Sequence, residues 1–296
     1  MRVGIDLGGT KIEIIVLSEQ GEELYRQRVA TPQGDYHGTL QTIVDLLRAA
    51  ENSLSFEAQH IGIGTPGTIS TLTGYIKNSN SVCLNGQALD KDLQQALGCS
   101  VRIANDANCF ALSEAVDGAG QDAEVVLGVI IGTGTGGGVV VNGHVLSGVN
   151  GISGEWGHNP LPWPKANELP GLACYCGLNG CIETWLSGPG LQADYFHRSG
   201  VQLIAREIVQ QASEGCSVAQ ACLNEYEDRL ARSLASVINV LDPDVIILGG
   251  GLSNIKRLYK NVPKQWLQYV FSDEVRTKLL PAKYGDSSGV RGAAWL

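Results

Sequence analysis

One histidine and three cysteines stand at metal-ligand spacing between two carboxylates in the segment from Gly154 to Glu183. It reads Gly154-Glu155-Trp156-Gly157-His158, then a loop carrying Pro160, Pro162, Pro164 and Pro170, then Cys174-Tyr175-Cys176-Gly177-Leu178-Asn179-Gly180-Cys181-Ile182-Glu183. One imidazole and three thiolates fill a tetrahedral zinc shell. Four protein ligands leave no place for an activated water, so His158, Cys174, Cys176 and Cys181 point to a structural Zn2+. Cys-x-Cys is tighter than finger spacing, but Gly177 and Gly180 allow the backbone to bring Cys181 back to the same ion. The alternative is three buried thiols and an unrelated histidine. A dense Cys/His cluster in a chain expected to carry no secretory signal favours metal.

A second chemistry is written in glycine. The chain has 38 glycines in 296 residues, well above the usual share of about 7%, and they gather at the ends of apolar runs. Gly8-Gly9, Gly132 to Gly138 and Gly249 to Gly251 each follow such a run. A turn there without Cβ atoms lets a ligand approach backbone N–H groups. Two such turns could grip a triphosphate, with Thr10 and Lys11 adding a hydroxyl and a cation. Neither matches the Walker pattern, which excludes a P-loop enzyme. A lone Gly-Gly-Thr turn would be no more than a hairpin; the three clusters together point to nucleotide.

Asn105-Asp106 follows the apolar run Val101 to Ala104 and opens a helical pattern. Polar groups at the carboxyl end of a sheet often belong to an active site, whereas Asp at a helix start is commonly an N-cap. Local sequence leaves both readings of Asp106 standing. Asn80, Glu155, His158 and Glu183 supply further amides and carboxylates suited to pairing with sugar hydroxyls.

These groups need rigid elements to hold them. Val3 to Asp6, Ile12 to Leu17 and Leu24 to Val29 read as strands, Gly38 to Ala50 as a helix, and His60 to Gly64 and Val101 to Ala104 as further strands. Asp106 to Val116 reads as a helix. The strand–glycine turn–strand pattern then recurs at Val125 to Ile131, Gly132 to Gly138 and Val139 to Val141, with an Asn142-Gly143 hairpin turn after it. This suggests an internal duplication, and two equivalent halves imply a cleft between them. Helices are expected at Val201 to Ala212 and Val218 to Leu241, a buried strand at Asp244 to Leu248, and a terminal helix at Ser287 to Leu296 crossing back to the first half.

Taken together, these motifs resemble the ROK family of bacterial sugar kinases, and the resemblance covers almost the whole chain. Asp6-Leu7-Gly8-Gly9-Thr10-Lys11 looks like the family's first phosphate motif, Ile131-Gly132-Thr133-Gly134-Thr135-Gly136-Gly137-Gly138 like its second, and Leu248-Gly249-Gly250-Gly251 like its adenosine motif. The resemblance implies a duplicated α/β actin-like, hexokinase-like (ribonuclease H-like) two-lobed fold with an interlobe cleft. The lobes are expected at 1–118 plus 285–296 and at 119–284. It implies ATP with Mg2+ on Asp6, Gly8, Gly9, Thr10, Lys11, Gly132, Thr133, Gly134, Gly136, Gly249 and Gly250. It further implies Asp106 as catalytic base, with Asn80, Asn105, Glu155, His158 and Glu183 on the sugar and His158 also on zinc. Within the family, Asn78 to Ser81 and Trp156 to Trp163 look most like fructokinases that also accept mannose. Glucokinase and N-acetylhexosamine kinase are the alternatives.

The net charge of -9 argues against nucleic acid and anionic membrane surfaces. With only five residues before Asp6, no DNA-binding module is expected, which disfavours a sugar-responsive repressor. A non-catalytic sugar-sensing regulator would be expected to lack Asp106 or a glycine turn. A cytoplasmic homodimer is expected.

Overall fold

The computed structural model describes residues 1–79 and 81–296, and only the backbone of Asp286. Two compact units emerge, one of residues 1–122, 138–153 and 283–296, the other of residues 123–137 and 154–282.

In the first unit, β1 (Arg2–Leu7), β2 (Lys11–Leu17), β3 (Glu23–Ala30), β4 (His60–Thr65) and the later β7 (Ser100–Asn105) form a sheet ordered β3-β2-β1-β4-β7. Pairing is antiparallel between β1, β2 and β3 and parallel between β1, β4 and β7. The central strands β1, β2 and β4 are buried along most of their length because both faces are covered, whereas β3 is largely exposed at the sheet edge. Ile14 packs into a core with Ile43 and Leu47 of α1 (Tyr36–Leu54) and with Leu89 and Leu93 of α2 (Leu89–Leu97). The next residue, Ile15, points to the opposite face and meets Val290 and Ala294 of the terminal helix, as alternation along a strand requires. A short hairpin, β5 (Thr68–Ile69) with β6 (Ile76–Lys77), precedes α2.

The helix after β7 is α3 (Asp106–Val116), begun at the residue expected from sequence. It packs against the terminal helix so closely that a Cβ on Gly292 would sit 1.6 Å from the carbonyl oxygen of Cys109. No backbone neighbour can yield that far. Gly292→Ala should therefore destabilise the first unit by on the order of 3 kcal/mol or more, read as a lowered denaturant midpoint at unchanged slope.

The second sheet contains β8 (Val125–Ile131), β9 (Thr135–Val141), β10 (His144–Val145), β11 (Val245–Gly249) and β12 (Lys278–Pro281), ordered β10-β9-β8-β11-β12. This repeats the order of the first sheet, so the duplication read from the glycine turns extends to strand topology. Asn142 and Gly143 adopt φ of 50° and 75°, the paired positive φ of a tight hairpin turn. The expected glycine turn from Gly132 to Gly138 is shorter than its composition suggests, because Thr135 to Gly138 already belong to β9. Those strand glycines make room for neighbours: a Cβ on Gly137 would lie 3.0 Å from the Trp156 ring.

Helices α4 (Glu183–Leu186), α5 (Gly188–Ser199), α6 (Ala205–Ser213), α7 (Ser217–Leu241) and α8 (Leu258–Gln265) complete the second unit, and α9 (Ser288–Trp295) returns to the first. Among the described residues, no helix is long and apolar enough to cross a membrane.

Candidate functional site

In the first unit the end of β7 presents Asn105 and Asp106, and the geometry separates their roles. Asn105 is the N-cap of α3, its side-chain oxygen accepting from the amide of Asn108 at 2.7 Å. Its amide nitrogen is left to donate elsewhere. Asp106 therefore does not cap the helix; Oδ1 takes the amide of Ala107 at 2.8 Å and the other oxygen is available to a ligand. Desolvation by the surrounding protein pushes the Asp106 carboxyl above the ordinary range although water still reaches it, and the Ala107 amide opposes that push.

Helix α3 is pinned from below by Glu114, which sequence reading missed. This fully buried carboxylate accepts from the amide of Ala119 at 2.9 Å, the amide of Lys283 at 3.0 Å and the hydroxyl of Ser288 at 2.8 Å. A glutamate in an apolar helical run looks like a solvated face; only the returning α9 reveals its partners.

Asp6, next to last in β1, stands near Asp106. Burial, then repulsion from Asp106 and Glu13, raises its pKa from 3.8 to about 6. A proton is thus held more tightly by the folded chain than by the unfolded one, so the charged carboxylate weakens the fold above pH 6 and costs nothing below pH 4. For the nucleotide-free protein, Asp6→Asn should raise stability at pH 7.5 by about 2 kcal/mol after solvent screening. That gain should fade as pH drops from 6 toward 4, which melting curves across this range would check. Equal gain at pH 4 and pH 7.5 would contradict the buried-charge explanation.

The first glycine turn joins β1 to β2 with the amide of Gly8 bonded to the carbonyl of Lys11 at 3.0 Å. Among the described residues, the amides of Gly9 and Thr10 have no internal acceptor. Gly9 faces the hydroxyl of Ser81, which a Cβ would approach to 3.2 Å; that hydroxyl is buried and without a partner among the described residues. Ser81, the last residue of the Asn78 to Ser81 segment, is a further candidate to which sequence reading gave no role. The expected sugar residue Asn80 lies outside the described residues.

In the second unit the other two glycine turns lie side by side. A Cβ on Gly132 would come within 4.0 Å of the Gly250 Cα, and Gly250, at φ 80°, closes against the carbonyl of Ile131. Thr133 is the exposed tip with Gly134 half-buried beside it, Gly136 accepts the Trp156 indole N–H at 3.0 Å, and Gly249 ends β11. Glu183 accepts the amide of Thr135 at 2.8 Å. This carboxylate fills the space that a side chain at Gly134 would need, since a Cβ there would lie 2.7 Å from Glu183 Oε2.

The Trp156–His158 turn rests on the start of β9: Trp156 is buried, and a Cβ on Gly157 would overlap the Thr135 carbonyl at 2.1 Å. Glu155 immediately before it is exposed. His158, Cys174, Cys176 and Cys181 each present a ligand atom, all within 4.8 Å of one another. Gly177 and Gly180, at φ 91° and 71°, make the reversal that sequence spacing demanded. A set of three sulfurs and one nitrogen this close fits a tetrahedral zinc ion. His158 turns Nδ1 toward the Cys174 sulfur at 3.6 Å, while Nε2 meets the hydroxyl of Tyr175 at 2.9 Å.

The proline-rich loop from His158 to Cys174 is anchored at its middle. Arg232 of α7 donates to the carbonyls of Pro162 and Trp163, both at 2.8 Å, and buried Glu168 receives Arg229 and Arg232, also at 2.8 Å. A buried carboxylate between two guanidiniums is costly to break, so the loop is tied to α7.

Residues 2–296 match the model of the ROK family. An N-acetyl-D-glucosamine kinase of Photobacterium profundum is 43% identical over 300 residues, covering 100% of this chain and 99% of that protein. The structure resembles a ROK hexokinase from Thermus thermophilus with a TM-score of 0.88 and 32% identity, over 99% of this chain and 96% of that one. It also resembles a ROK family glucokinase from Streptomyces griseus, solved with glucose and AMPPNP, with a TM-score of 0.76 and 27% identity over 99% and 97% of the two chains. The α/β fold is that of the ROK hexokinases. The chain belongs to the ROK family.

Proposed function

We propose that this protein is an ATP-dependent sugar kinase that phosphorylates N-acetyl-D-glucosamine at its 6-hydroxyl. The observation that carries the substrate is the full-length 43% identity to a relative named N-acetyl-D-glucosamine kinase. That likeness favours the N-acetylhexosamine alternative over the fructose and mannose reading drawn from Asn78 to Ser81 and Trp156 to Trp163.

In this reading Asp106 accepts the proton of the attacking sugar hydroxyl through the carboxylate oxygen not bonded to Ala107. Its raised pKa suits a base that must hold a proton in the transition state. Asn105 donates through its amide, because its oxygen is already engaged by the helix. Glu155 accepts from a sugar hydroxyl, and Glu183 joins the sugar loop to the glycine turn at Gly134, so sugar and phosphate contacts share one rigid piece. The free amides of Gly9 and Thr10, with Lys11, would hold phosphate oxygens, and Gly249 and Gly250 with the adjacent Gly132 turn would hold the rest of the nucleotide. Asp6 and Asp106 repel one another when charged, which suits a divalent cation; Mg2+ arriving with ATP supplies compensation for phosphate charge. His158, Cys174, Cys176 and Cys181 would hold Zn2+ in a structural role.

Coupled measurement of ADP release over a panel of hexoses, with and without magnesium, tests the assignment. N-acetyl-D-glucosamine should give the highest kcat/KM and no rate without magnesium. A clear preference for fructose would overturn the substrate, and no sugar-dependent ADP release would overturn the kinase.

A further inference from the structure

The hydroxyl of Tyr175 stands on the one nitrogen of His158 that the thiol cluster leaves unused. Nδ1 faces Cys174, whereas Nε2 meets Tyr175 Oη at 2.9 Å, and the two rings pack edge to face with centroids 5.1 Å apart at 88°. Tyr175 is otherwise 84% exposed, so little holds its ring except this contact. It also sits between two of the cluster cysteines, Cys174 and Cys176.

We propose that Tyr175 is an internal stand-in for the sugar: its hydroxyl accepts from His158 Nε2–H in the free protein and is displaced when a sugar hydroxyl takes the same place. With the Nδ1 lone pair turned to the metal site, the ring proton resides on Nε2, which makes that nitrogen a donor seeking an oxygen acceptor. Tyr175 Oη supplies one before substrate arrives. A sugar hydroxyl offers the same acceptor, so binding exchanges one hydrogen bond for another rather than adding one. Tyr175 thus competes with the sugar for His158 and lowers sugar affinity without touching the transferred phosphoryl group. This inference rests on the proposed sugar-kinase function, with His158 meeting the sugar as the family resemblance implies.

Tyr175→Phe keeps the ring and removes the competing acceptor. Because an exposed hydrogen bond exceeds its water-bonded counterpart only modestly, KM and Kd for N-acetyl-D-glucosamine should fall about two- to fivefold, with the change on KM rather than kcat. Zinc content should match the unaltered protein. In the free state the 15N signal of His158 Nε2 should differ between the two proteins, and at sugar saturation the two signals should coincide. An unchanged or raised Kd, or Nε2 signals that stay apart at saturation, would overturn the role of Tyr175. If the unaltered protein binds no sugar, or its His158 signal ignores saturating sugar, the underlying site assignment fails instead.

Discussion

Asp106→Ala should lower kcat by about 10²- to 10⁴-fold while the protein stays folded and binds N-acetyl-D-glucosamine within about twofold of its normal affinity. The range is that of losing a positioned general base, with orientation and charge compensation still in place. Two structural facts separate this result from trivial unfolding. Helix α3 is capped by Asn105 through the Asn108 amide and anchored by Glu114, so removing the Asp106 carboxylate leaves the supports of the helix intact. The amide of Ala107 loses an acceptor but lies on the first turn, where water can replace it. Asp106→Asn should be almost as slow, because an amide can keep the Ala107 bond but cannot take a proton. Near-normal turnover by a well-folded Asp106→Ala protein would remove the base from this site.

Loss of the metal-site cysteine Cys181 should have the second large effect. Cys181 is buried at 1% exposure and its sulfur lies 3.6 Å from that of Cys176. Replacing it by serine would substitute a weaker ligand and bury a hydroxyl where a thiolate would hold the ion. The loop segments that this site joins carry His158 on one side and Glu183 on the other, so their ordering depends on it. Cys181→Ser, or chelation of the native protein, should cost several kcal/mol of stability, and the KM for sugar should rise by about tenfold or more. Cys216→Ser, outside the cluster, should do neither. Equal metal content and melting temperature in Cys181→Ser and the native protein would show that the cluster holds no ion.

Much of the architecture was legible because apolar runs with clear ends leave little choice. Val125 to Ile131 is a strand as read, and α3 starts at Asp106 as read. The gathering of His158, Cys174, Cys176 and Cys181 was legible because such residue types are scarce and closely spaced. What local sequence concealed depends on partners far along the chain. The glycines from Gly136 to Gly138 look like a loop by composition, yet they lie in β9, where Gly137 leaves room for the Trp156 ring and Gly138 for the Ala107 carbonyl. Asp106 and Asn105 compete for one cap, and only the bond to Asn108 decides between them. Glu114 belonged to no motif, and Ser81 and Tyr175 stood within motifs that gave them no role of their own. Their significance appears when α9 returns to α3, when the Gly9 turn meets Ser81, and when the Cys174–Cys181 reversal sets a phenol on His158.

The most direct test follows the phosphorus itself by 31P NMR in a mixture of ATP, magnesium, N-acetyl-D-glucosamine and protein. The γ-phosphate signal of ATP should give way to a monoester at the sugar's carbon 6, and the Asp106→Ala protein should leave that signal almost untouched over the same time. Appearance of inorganic phosphate in place of the sugar monoester, or a monoester formed equally fast by Asp106→Ala, would contradict the account.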